Sequence, residues 1–107
     1  MQRLDPPDPS TYNEHQKRIA DSIVGTRGSV RGPFGVWLHA PGLADPAQAV
    51  GAFLRFDSKM PGNLRELIIC TIGQHWQANY EWFAHAPIAI TEGVSPEAVA
   101  LLRDGKR

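Results

Sequence analysis

At 107 residues, with 42% hydrophobic and 21% charged residues, the chain has the length and balance of one globular domain rather than a disordered segment. Eleven Lys and Arg match eleven Asp and Glu, which leaves no electrostatic footprint for nucleic acid or an anionic membrane. The single cysteine excludes an intrachain disulfide, no apolar run approaches the roughly 20 residues that span a bilayer, and no hydrophobic signal core follows Met1; a cytoplasmic location is expected.

Residues 1–10 are rich in proline and polar side chains, so an extended segment draped over the rest of the molecule or over a partner subunit is expected there. Residues 11–107 form the expected domain. Thr11 and Glu14 have the spacing of a capping box, and Tyr12, His15, Ile19, Ala20 and Ile23 recur with helical period. The pattern predicts a helix from Tyr12 to Val24, stopped by Gly25. The glycine-dense stretch from Gly25 to Gly35 reads as a connector, with an anion cradle carrying Arg27 and Arg31 as the sharper alternative. A short helical turn from Val36 to Ala40 carries Trp37 and His39.

Asp45 followed by Pro46 predicts a helix start, and the apolar stripe of Ala47, Val50, Phe53 and Leu54 carries that helix to Phe56. Asn63 is positioned to cap a helix from Leu64 to Gln77 whose strongest apolar segment is Leu67 to Ile72. A second helix follows from Tyr80 to Thr91, in line with the first or slightly bent from it, with Pro87 inside and Gly93 closing it. Ser95-Pro96-Glu97 opens a last helix from Pro96 to Arg103. No stretch alternates with period two, so the fold class is all-α. The last helix is expected to bury little of its apolar face, which points to a partner subunit or to a longer natural chain.

The chemistry concentrates between Leu64 and Ala89, where Arg65, Glu66, His75, Glu81 and His85 lie among aliphatic and aromatic residues. Glu81 and His85 stand four apart, one turn of a helix, so a carboxylate can orient an imidazole for general acid–base work; the plainer reading is a surface pair. Glu66 is a candidate second acid–base group once two helices pack around one core, or simply a carboxylate favoured by its helix dipole. Trp76, Tyr80 and Trp82 are candidates to line an apolar substrate pocket, and Arg65, Arg27 or Arg31 to fork a substrate carboxylate. His75, His15 and His39 read as core or interface histidines. Cys70, within Leu-Ile-Ile-Cys-Thr-Ile, reads as an inert packing residue. No Glu-x-x-His or His-x-x-x-His repeat supports a metal site, and no cofactor is expected.

The run Arg65-Glu66-Leu67, then His75-Trp76, then Tyr80-Glu81-Trp82-Phe83-Ala84-His85-Ala86-Pro87-Ile88-Ala89 and Gly93-Val94-Ser95 resembles the carboxymuconolactone decarboxylase family. The segment from Gly28 to Phe34 and the Asp45-Pro46 helix start add to the resemblance, which extends from about Pro6 to Arg103. It implies the all-helical alkylhydroperoxidase D-like fold and assembly as dimers, trimers or hexamers. In the peroxidase members a glutamate, a Cys-x-x-Cys pair and a histidine do the work. By position the glutamate falls on Glu66 and the histidine on His85, but the two thiols fall on Ala78 and Glu81. That departure removes dithiol chemistry, although antioxidant activity of the peroxiredoxin type is what the wider family suggests. The decarboxylase members act on a small lactone acid without a cofactor. The resemblance therefore implies acid–base chemistry of the lyase type by Glu66, Glu81 and His85, or else a ligand-binding oligomer that has lost catalysis.

Overall fold

The computed structural model describes residues 3–106; residues 1, 2 and 107, at the start of the expected N-terminal segment and at the end of the chain, lie outside the described residues. All regular structure there is helical: α1 (Glu14–Arg27), α2 (Pro33–Trp37), α3 (Pro41–Ala52), α4 (Gly62–His75), α5 (Asn79–Thr91) and α6 (Pro96–Arg103), with no strand among the described residues. A single 3₁₀ turn covers Pro9–Thr11, and a π-helical turn, Phe53–Asp57, follows α3. The chain divides into two compact units, residues 1–57 and 58–107.

In the first unit, α1 begins two residues later than its apolar pattern predicts. Asn13 is the cap: its side chain accepts from the Gln16 backbone N–H, while the Gln16 side chain accepts from the Asn13 N–H. Gly25 does not stop the helix. It continues to Gly28, whose left-handed backbone (φ 81°) lets its N–H reach the Val24 carbonyl. The predicted connector is thus shortened to residues 28–32, its two ends being taken up by α1 and α2. The helix predicted from Pro46 starts instead at Pro41, which satisfies the proline-first rule equally well and leaves Pro46 inside α3.

Ile19, Ala20 and Ile23 of α1 bury against Leu38 and Ala44, with Tyr12, Val30, Phe34 and Trp37 packed around them. Ile23 and Leu38 are fully enclosed, each contributing roughly 2–3 kcal/mol by burial. Asp5 and Pro6 touch this unit: the Asp5 carbonyl accepts from His39 Nε2 at 2.7 Å, and Pro6 presses on Gly35. A Cβ at Gly35 would stand 3.0 Å from Pro6 Cγ, so a side chain there would have to push the proline ring back.

In the second unit, α4 and α5 are not in line. They fold back on each other as an antiparallel hairpin, the most extensive packing between helices of this unit, and α6 closes against both. The reversal is a Schellman ending: the Ala78 N–H donates to the Gly73 carbonyl and the Gln77 N–H to the Gln74 carbonyl. Gln77 occupies the left-handed position (φ 52°), where the corresponding endings of α5 and α6 use Gly93 and Gly105. The small core holds Cys70, Ala86, Ala89 and Val99, with Trp82, Val94 and Leu102 against it. Two alanines on α5 and Gly73 on α4 let these helices come close. The last helix runs over Pro96–Arg103 as predicted, with Ser95 Oγ accepting from the Ala98 N–H, and it buries Val99 and packs Leu102 rather than leaving its apolar face bare.

Candidate functional site

The inward face of α4 is not its aliphatic one. Glu66, Cys70 and Gly73, spaced at four and three residues, are its buried positions, whereas Leu64, Ile68, Ile72 and Trp76 form an exposed stripe. An acidic side chain is therefore carried into the α4–α5 seam, where it is completely buried. A carboxylate in such a place must be paired. His85, from the facing turn of α5, donates from Nδ1 to Glu66 Oε2 at 2.7 Å, and Arg65 Nε donates to Glu66 Oε1 at 3.1 Å. Both carboxylate oxygens are thereby satisfied.

The other side of the imidazole faces Glu81, whose Oε2 lies 3.6 Å from His85 Nε2. That separation is beyond a hydrogen bond. Glu81 is 39% exposed at its side chain and His85 16%, so this end of the array opens outward while the Glu66 end is sealed. Arg65 continues the chain of charges outward on its own side, with Nη2 3.7 Å from Glu92 Oε1. The order in space is Glu92, Arg65, Glu66, His85, Glu81.

Of the residues singled out from sequence, Arg65, Glu66, Glu81 and His85 are brought together. The roles suggested by spacing exchange: the carboxylate that fixes the imidazole is Glu66, nineteen residues away, and not Glu81 one turn away. The aromatic wall does not form as expected. Trp76 is 74% exposed and stacks edge-on against His75, itself exposed, and Tyr80 is exposed as well. Only Trp82 of the three joins a groove of about 440 Å³, whose other lining residues include Gly73, Gln77, Asn79 and Arg103. His39 is likewise exposed rather than part of a core. Sequence reasoning passed over Glu92, whose place beside Arg65 no local spacing signals.

Cys70 lies one turn beyond Glu66 on the same inward face and is 1% exposed. Burial pushes its thiol pKa up, and the nearby Glu66 carboxylate pushes it further in the same direction. Among the described residues no three His, Cys, Asp or Glu side chains are arranged to hold a metal ion, and no helix is long and apolar enough to cross a membrane. No family model matches the chain, and neither a curated protein nor a solved structure matches it significantly.

Proposed function

We propose that the chain is a carboxymuconolactone decarboxylase-like protein that performs cofactor-free acid–base chemistry on a small carboxylated or lactone substrate. The observation that carries this reading is the Glu66–His85 hydrogen bond, buried at Glu66 and open at the far side of the imidazole. With Nδ1–H held by an enclosed carboxylate, the lone pair of neutral His85 sits on Nε2, the nitrogen that faces Glu81. That nitrogen is the atom that moves the proton.

Glu66 acts as a positioning residue, since both of its oxygens are occupied and none of its surface is accessible. Glu81, partly exposed, is the second proton carrier. In a decarboxylation the C–C bond to the departing carboxylate breaks and carbon dioxide leaves. The electron pair passes into the conjugated carbonyl, and the imidazolium at Nε2 delivers its proton to the resulting carbanion. Arg65 is held by Glu66 and Glu92, so it serves the array by anchoring the Glu66 carboxylate in place rather than by forking a substrate.

Assembly belongs to the same reading. The stripe of Leu64, Ile68, Ile72 and Trp76 is an apolar face of the kind that a second copy of the chain covers. Turnover of carboxylated lactones by the full chain, followed by loss of carboxylate or lactone absorbance, tests the activity. His85→Ala should abolish it, Glu81→Gln should reduce it, and unchanged turnover in His85→Ala would rule the assignment out.

A further inference from the structure

The first unit holds a cation whose surroundings the acid–base array does not explain. Arg27, at the end of α1, makes no hydrogen bond or ion pair with any described residue, and its Nε is buried without a partner. Its guanidinium lies instead over the Phe34 ring, 4.4 Å from the centroid, and 5.7 Å from that of Phe56. Arg55 stands 5.3 Å from the same Phe56 ring, so two like charges share one aromatic side chain. Burial, with the charge of Arg55 adding to it, pulls the Arg27 pKa below its ordinary value, the expected direction for an uncompensated cation.

Gly51 backs directly onto the guanidinium. A Cβ at Gly51 would approach Arg27 Nη2 to 3.1 Å, so any larger residue would crowd that nitrogen. Phe56 is half exposed, and Val50 and Phe53 of the same α3 and π-helical stretch are more exposed still. The cationic edge of Arg27 from α1 thus stands beside an exposed apolar surface supplied by α3 and the π-helical turn. Ring faces satisfy the charge of a guanidinium but not its N–H donors, which a planar carboxylate matches in pairs.

We infer that Arg27, flanked by Phe34, Phe56, Gly51 and Arg55, is a recognition site for a small acid that joins a carboxylate to a flat apolar body. The carboxylate takes the open edge of the guanidinium, and the apolar body lies on Phe56. The inference stands on the first unit alone and is independent of the reaction assigned to the second.

The test is a titration of the full chain with benzoate, acetate and inorganic phosphate, followed at the arginine Nε–Hε resonances by NMR. Benzoate should shift the Arg27 resonance saturably, acetate more weakly, and phosphate least. Arg27→Gln should weaken benzoate binding by about tenfold or more, the scale of a lost charge-assisted pair. Phe56→Ala, at an exposed position that leaves the core intact, should weaken benzoate severalfold and acetate hardly at all. An unmoved Arg27 resonance, equal benzoate binding in both variants, or a preference for phosphate would overturn the inference. A shift that follows protein concentration without any added acid would also overturn it, by assigning the site to a carboxylate of a second copy.

Discussion

His85 Nδ1 and Glu66 Oε2 meet at 2.7 Å across the α4–α5 seam, and this contact leaves Nε2 as the imidazole nitrogen that faces Glu81. It also ties two helices together at a point where neither contributes a large apolar side chain, since the shared core is built on Cys70, Ala86 and Ala89.

Removing the carboxylate should therefore cost stability as well as activity. Glu66→Ala leaves the His85 N–H and the Arg65 guanidinium facing a void, and should destabilise the second unit by about 3 kcal/mol. Glu66→Gln should cost less, because its amide oxygen can still accept from Nδ1. Urea unfolding followed by circular dichroism measures both; equal and small losses would mean the seam does not depend on this contact.

The strained turn between α4 and α5 makes an opposite prediction. Gln77 holds a left-handed conformation that costs a side-chain-bearing residue roughly 1–2 kcal/mol, whereas glycine adopts it freely. Allowing for the greater freedom of glycine in the unfolded chain, Gln77→Gly should raise stability by about 0.5–1 kcal/mol. Gly93→Ala, at the equivalent position after α5 (φ 105°), should lower it. A loss in Gln77→Gly would show that its side chain supports the turn by another contact.

How far the sequence foretold this arrangement depends on the distance over which each feature is determined. The bounds of α6 were legible because Ser95 and Pro96 act within one turn. The start of α1 was displaced because Asn13 with Gln16 makes the same reciprocal cap as the expected Thr11 with Glu14. The run Leu67 to Ile72 is the strongest apolar segment of its helix, yet Ile68 and Ile72 face outward and Glu66 inward. Hydrophobicity alone does not say which face a neighbour will occupy. Glu66, Glu81 and His85 were found by residue type, but their division of labour depends on a hairpin rather than an in-line pair, which only the Gln77 turn determines. The aromatic partners of Arg27 come from separate elements and had no local signal.

Cys70 gives a prediction in pH. Its thiol pKa is raised in the folded state above the ordinary 9.0, so the unfolded chain gives up this proton first. The stabilisation attached to the neutral thiol is fully present below about pH 9 and declines as the pH rises through the folded-state value. Cys70→Ala should flatten the alkaline loss of stability relative to the parent chain, as measured by urea midpoints between about pH 8 and 10. The same burial predicts no hydroperoxide consumption by the folded chain; consumption lost in Cys70→Ser would restore the peroxidase reading.

Association is tested on the outward face of α4. Ile68→Glu places a charge in the middle of the Leu64, Ile68, Ile72 and Trp76 stripe, away from the buried residues of the helix. It should shift the sedimentation profile toward monomer without lowering helicity. A parent chain already monomeric at high concentration would remove assembly from the account.

On the proposed reading, Glu66 fixes His85 with Nε2 as the working nitrogen. The most direct measurement is the tautomer of His85, read from long-range ¹H–¹⁵N NMR correlations of the imidazole, with and without a carboxylated lactone. Neutral His85 should carry its proton on Nδ1, added lactone should perturb Nε2 selectively, and Glu66→Gln should weaken the tautomer preference. A proton on Nε2, or the averaged tautomers of a free imidazole with no response to lactone, would overturn the role assigned to Glu66.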